Sequence, residues 1–179
     1  MKKICLSLAA VSLFAAVFSA HAGNRAGAVT ATVGAGYDFL SSQRRMDNAF
    51  VPYVGLGYNF TQHWGLEGIL GNFNTSFKKS VGDNREISGL MLALDGVYHF
   101  SPSHQIIEPY VLAGAGIMGF NPNRNNANNE GAINAGVGTE FFLDKSIALR
   151  IEARDFYTIV GGKNDVFLNA GVTFLFGGC

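Results

Sequence analysis

The sequence predicts an all-β fold, an eight-stranded antiparallel up-and-down transmembrane β-barrel, and three observations carry that prediction. Apolar residues recur at every second position through eight segments, the links between segments alternate short and long, and the charges inside the segments share one face. Period two marks a strand with two unlike faces, and a helix cannot keep it.

The first strand alternates Val29, Ala31, Val33, Ala35, Tyr37 and Phe39 with Thr30, Thr32, Gly34, Gly36 and Asp38. In the second, Val54, Leu56, Tyr58 and Phe60 alternate with Tyr53, Gly55, Gly57 and Asn59. Trp64, Leu66, Gly68 and Leu70 carry the third and weakest pattern. Leu90, Leu92, Leu94, Tyr98 and Phe100 form the fourth set, Val111, Ala113, Ala115 and Ile117 the fifth, and Ile133, Ala135, Val137 and Phe141 the sixth. Ile147, Leu149, Ile151 and Ala153 give the seventh; Val166, Leu168, Ala170, Val172, Phe174 and Phe176 give the eighth. Long polar links are expected at 41–49, 74–86, 121–130 and 158–165, and mostly shorter ones at 61–63, 101–108 and 144–146. Short turns on one side and long loops on the other fit a barrel set in an outer membrane.

Composition bounds the alternatives. The chain has 179 residues, no net charge, 48% hydrophobic and 15% charged residues, and 23 glycines. One domain is the expectation at this length. The charge balance offers no basic field for nucleic acid, and the apolar content excludes a disordered chain. Residues 1–22 read as a cleaved secretory signal: Met1, Lys2 and Lys3 lead an apolar run that ends in Ala20, His21 and Ala22, which places cleavage between Ala22 and Gly23. Cys5 leaves with that segment, so in 23–179 Cys179 has no partner for an internal disulfide. No apolar run in the remainder approaches the ~20 residues of a membrane-spanning helix.

Alternation alone does not say which face is wet. A soluble barrel would spend its polar face on water and fill it with Lys and Glu. Here that face is mostly Gly, Asn, Thr and Ala, with Asp38, Glu67, Asp95, Glu140, Arg150, Glu152 and Arg154 on it, which suits a cramped lumen. The opposite face is a lipid-facing band without Arg or Lys, each of which would cost about 2–4 kcal/mol at the bilayer midplane. Tyr58, Phe60, Trp64, Tyr98, Phe100, Phe141, Phe174 and Phe176 lie beside the short turns and form one aromatic girdle. Phe39, Phe50, Phe73, Phe120 and Tyr157 lie near the long loops and are expected to form the other.

Counting from the short-turn rim, Glu67, Asp95, Glu140, Arg150 and Glu152 fall at one depth, roughly 10–17 Å in at about 3.3 Å per residue. Charges in a narrow lumen must pair or titrate, so Arg150 and Arg154 are expected to bridge the acids. His63 and His104 fall in short turns, and His99 points into the lumen. Neither a Ser/His/acid arrangement nor a His/Cys cluster with metal-ligand spacing emerges. The reading is therefore a non-enzyme without catalytic, cofactor or metal sites.

The stretches PYVGLGYNF, WGLEGILGNF, PYVLAGAGIMGF, GVGTEFF and ALRIEARDF resemble the eight-stranded transmembrane domain of the OmpA-like outer membrane proteins. That resemblance implies residence in the bacterial outer membrane, among its lipids and lipopolysaccharide. It also implies a luminal charge cluster, with Glu67, Glu140 and Arg150 at the family's positions and Asp95 where the family has a base. Asn169, Gly171, Phe174 and Phe176 resemble the terminal signal read by the barrel-insertion machinery. Many such proteins continue into a peptidoglycan-binding domain, which is not carried over here. Three functions follow as expectations. The first is a structural and surface-interaction barrel whose loops carry Arg44, Arg45, Lys78, Lys79, Arg85 and Arg124 toward lipopolysaccharide phosphates or a host or surface ligand. The second is a narrow, low-conductance channel with a charged gate. The third and least favoured is an outer-leaflet enzyme. With Asp95 in place of a base the cluster is more acidic than the family pattern, which speaks against a two-pair gate and for a structural salt-bridge plug.

Overall fold

In the computed structural model, which describes residues 23–77, 86–100, 106–122 and 128–178, eight antiparallel strands close into a barrel. They are β1 (Ala28–Phe39), β2 (Ala49–Asn59), β3 (Trp64–Ser76), β4 (Glu86–His99), β5 (Ile107–Pro122), β6 (Asn128–Asp144), β7 (Ile147–Thr158) and β8 (Lys163–Gly177). Each strand pairs with the next, and β8 returns to β1 from Ala28↔Gly177 to Phe39↔Val166. Closure removes both sheet edges, so the ladder pairs its backbone groups around the whole circumference, as a span through lipid requires. Predicted features at 1–22, including Ala22, and at Lys78, Lys79, Arg85, His104, Arg124 and Cys179 lie outside the described residues.

Period two holds on every strand. Val33, Val54, Leu56, Leu94, Ile117, Val137, Ile151 and Leu168 all stand outward and exposed. All seven strand charges predicted to face inward are buried. The strands are longer than the apolar pattern suggests. β3 runs through Asn74 and Thr75 to Ser76, which pairs with Glu86, and Asn128, Asn129 and Glu130 of the Asn-rich stretch pair with Phe120, Gly119 and Met118. The expected loops at 74–86, 121–130 and 158–165 are correspondingly shorter. Polar residues read as loop because the apolar alternation stops, but the ladder continues past the lipid band into water. A span needs only about 9–11 residues, and β6 has 17.

At the short-turn girdle Trp64 and Tyr98 meet edge to face at 4.9 Å between centroids, Tyr98 and Phe100 at 5.3 Å, and Tyr58 and Phe60 at 5.4 Å. The other girdle needs a correction. Phe39, Phe50 and Tyr157 are exposed there, joined by Tyr37, but Phe73 and Phe120 are buried inside the barrel, edge to face at 5.7 Å. Their parity explains it, since Phe73 shares the face of Glu67 and Ile69, and Phe120 that of Gly114 and Gly116.

At the long-loop end the first connection folds back over the mouth of the barrel. A short 3-10 turn, Ser42–Arg44, is followed by Arg45 in the left-handed region at φ 53°. The next residues tie back to β3, through an isolated bridge between Met46 and Phe77 and a hydrogen bond from the Asp47 N–H to the Ser76 carbonyl at 2.9 Å. Between β7 and β8 the chain reverses at Gly161 and Gly162, whose φ values of 87° and 57° suit glycine.

A closed barrel keeps its ladder in detergent until heated. The protein is expected to run at different positions in a denaturing gel before and after boiling; identical mobility in the two samples would contradict closure.

Candidate functional site

The lumen is built in four layers from the short-turn end upward. In the lowest, Asn24 is tucked into the mouth just ahead of β1. Its backbone N–H donates to Glu108 Oε1 at 2.9 Å, its side-chain amide donates to the Gln62 carbonyl at 3.0 Å, and its Oδ1 accepts from Asn59. His99 lies beside Glu108, with Nδ1 3.9 Å from Oε2.

The second layer is the charge network. Arg150 on β7 grips Glu67 on β3 with both terminal nitrogens, one of them at 2.9 Å from Oε1, and also contacts Glu152. Its Nε donates to the Tyr110 hydroxyl at 2.6 Å, and that hydroxyl donates to Glu152 Oε2 at 2.8 Å. Arg154, four residues further along β7 on the same face, donates to Asp95 at 2.6 Å and to Glu152 Oε1 at 3.0 Å, with Glu67 at 3.7 Å. Asn169 donates to Glu152 Oε1 at 3.1 Å and accepts from the Tyr53 hydroxyl at 2.8 Å. Glu140 is buried directly across the β6–β7 ladder from Arg150.

Two arginines therefore hold four strands together across the bore. Each pair is charge-assisted and shielded from water, so it is strong once formed. Isolating either partner is what costs most.

Glycine creates the space. A Cβ at Gly138 would collide with the Tyr110 hydroxyl, and one at Gly114 with the Leu94 carbonyl and the Asp95 carboxylate. These inward glycines of β5 and β6 thus leave room for the side chains of their ladder neighbours, Tyr110 opposite Gly138 and Asp95 opposite Gly114. The space left beside Glu67, His99, Tyr110, Glu140 and Arg150 is about 20 Å³, room for about one water molecule. A concavity of about 620 Å³ lies instead on the outer wall, lined by Val111, Val137, Ile151 and Leu168, where lipid tails pack.

Above the network the lumen turns apolar. Val51, Ile69, Phe73, Ile87, Met91, Met118, Phe120, Phe156 and Phe167 form one buried cluster, each side chain contributing on the order of 1.5–3 kcal/mol. At the top, Arg44 reaches down from the first loop. It binds Asp165 at 2.7 Å and Glu130 at 2.8 Å and stacks over Phe120 at 4.4 Å, while Lys163 binds Glu130 at 2.6 Å. Burial works against the guanidinium charge, but the hydrogen bonds and attraction of Asp165 and Glu130 prevail and hold its pKa above the ordinary arginine value.

Arg44 was expected to project outward with Arg45; the structure buries Arg44 and exposes Arg45. The expected cluster of Glu67, Asp95, Arg150, Glu152 and Arg154 is one hydrogen-bonded network, with Glu140 against it. Asp38 is buried nearer the opposite mouth. Glu108, Glu130 and Asp165 belong to the lumen too, although the loop boundaries had placed them in connections; two-residue counting from Tyr110, Ala132 and Phe167 finds them. Of the β8 signal residues, Asn169 and Gly171 face inward, while Phe174 and Phe176 face outward beside the short turns. Among the described residues no group of three His, Cys, Asp or Glu side chains is placed to hold a metal ion.

A closed eight-stranded barrel with an apolar outer wall, aromatic girdles and a filled lumen defines a small outer membrane barrel of the OmpA-like type. The chain belongs to the outer membrane protein beta-barrel domain family, whose match covers residues 6–176. It is 25% identical over 147 residues to outer membrane porin F of Pseudomonas aeruginosa, covering 78% of this chain and 42% of that protein's length. Among solved structures it superposes on the N-terminal barrel of Pseudomonas aeruginosa OprF with TM-score 0.65 and 18% identity, over 86% of this chain and all of that one. Neisserial surface protein A gives 0.70 and 15%, over 84% and 99%. Ail of Yersinia pestis gives 0.60 and 15%, over 84% and 99%. The protein resides in the outer membrane.

Two substitutions probe the lumen. Arg150→Met leaves Glu67 and Glu152 without their main cation and is expected to cost about 3–5 kcal/mol in urea unfolding followed by gel mobility. Gly138→Val drives the Tyr110 ring and hydroxyl from their place and is expected to cost about 1–3 kcal/mol in the same assay, and to cost less when introduced into a Tyr110→Ala chain, where the ring is absent.

Proposed function

We propose that this barrel serves a structural and surface-contact role in the outer membrane, without catalysis and without a conducting pore. The observation that carries the reading is the filled bore: a charge network with about 20 Å³ to spare lies beneath a continuous apolar cluster. A hydrated ion would have to break the Arg150 and Arg154 pairs and then cross a layer of Phe, Met and Ile side chains.

What remains available is the outer end. The paired strands continue beyond the lipid band as a stalk, and the connections after β1, β3, β5 and β7, at 40–48, 77–85, 123–127 and 159–162, are where a host or surface ligand would touch. Exposed Arg45 is a cation that a lipopolysaccharide phosphate would attract. Outer membrane lipids pack the wall. The outward Phe174 and Phe176 with inward Asn169 and Gly171 on the last strand form the edge offered to the barrel-insertion machinery during assembly.

The test combines recording and phenotype. Folded protein in a planar bilayer is expected to give no stepwise ion current, and Glu67→Gln with Arg150→Met is expected to leave that baseline unchanged. In cells lacking the protein, a variant with residues 78–85 and 123–127 replaced by Gly and Ser is expected to restore detergent resistance but not adherence to host-matrix surfaces. Steady current, or adherence restored in full by that variant, would overturn the reading.

A further inference from the structure

The short-turn mouth holds a carboxylate whose counterion the rest of the lumen does not supply. Glu108 is fully buried, accepts one N–H from Asn24 through Oε1, and has no hydrogen-bond partner at Oε2 among the described residues. Facing it are His99, whose Nδ1 is likewise without a hydrogen bond at 3.9 Å, and Glu140, its partner across the β5–β6 ladder. Arg150 and Arg154 are committed to Glu67, Glu152 and Asp95, and Arg25 points toward the Leu175 carbonyl instead. Five buried acids in this half of the lumen, Glu67, Asp95, Glu108, Glu140 and Glu152, face two buried arginines. A buried carboxylate stays ionised at modest cost only when a cation joins it; without one it takes up a proton.

Gly23 is buried at the same place, one residue from the Asn24 N–H that already binds Glu108. As an internal residue it offers a neutral amide. Hydrolysis of the Ala22–Gly23 bond adds one water: the Ala22 acyl carbon gains the hydroxyl and leaves as a carboxylate, and the Gly23 nitrogen becomes an ammonium. We propose that leader removal builds a lock, in which the new α-ammonium group of Gly23 stays inside the mouth and pairs with Glu108. The proposal rests on the reading that the leader ends at Ala22. It makes processing part of folding, since the precursor lacks the cation that completes the lowest layer.

The test uses the chain refolded into detergent from two starts, Gly23 and a retained Ala22, each with Glu108 and with Glu108→Gln. In the Gly23 form the amine, followed by NMR titration, is expected at least about one unit above the usual α-amino value of roughly 7.7–8.0, and at or below that usual value in the Glu108→Gln chain. Retaining Ala22 is expected to lower the folding equilibrium constant about tenfold in urea, and to change little once Glu108 is Gln. An amine titrating at its usual value in the unsubstituted chain would overturn the pairing. So would an Ala22 penalty of equal size with and without Glu108. Mass spectrometry of the protein taken from cell envelopes reads the cleavage point separately; a start other than Gly23 would overturn the lock in the cell whatever the refolded chain shows.

Discussion

An eight-stranded barrel has an interior only as wide as its own side chains, and everything else in this molecule follows from that constraint. Each inward residue must find its partner among other inward residues, because no solvent column runs beside it. The order from one mouth to the other is therefore an order of solutions: amide and carboxylate at the short-turn end, paired charges above them, then hydrocarbon, then Arg44 held between two acids. Glycine on β5 and β6 is what makes the second solution geometrically feasible, since Tyr110 and the two arginines need an empty wall to lean on.

Buried charge pairs are weak evidence for net stability, since well-packed apolar residues often do as well. Their value here is in register. Arg150 and Arg154 on β7 bind Glu67 on β3, Asp95 on β4 and Tyr110 on β5 at fixed heights, so a strand that slipped by two residues would keep its face but lose its contact with the arginines. The apolar layer cannot discriminate in this way, because Met91 or Ile69 would pack at a neighbouring height almost as well. The two layers divide the work of holding the barrel shut and holding it aligned.

The fold was legible in the sequence because lipid imposes period two without exception on the outward face, and Val33, Leu56, Leu94 and Leu168 announce it. The members of the charge network were legible for the same reason: Arg150, Glu152 and Arg154 are spaced by two. Three things were not. The polar ends of β3 and β6 looked like loops, since outside the bilayer the outward face has no reason to stay apolar. Phe73 and Phe120 looked like girdle residues because of their position near the rim, and only their parity places them inside the barrel. Arg44 sits in a connection, where no periodicity says whether a cation turns to water or back into the mouth; that choice depends on Asp165 and Glu130, more than 80 residues away.

The aromatic girdle at the short-turn end includes the sequence's one tryptophan, Trp64, exposed on the outer wall against Tyr98. Indole emission from this protein is therefore a signal from one rim alone. During insertion into vesicles it will report when that rim reaches the headgroup region, and it will be silent about the arrival of the opposite end, where Tyr37, Phe39, Phe50 and Tyr157 are the aromatic markers. A brominated-lipid quenching series would thus measure the depth of one lip of the barrel, a ruler fixed at a known height.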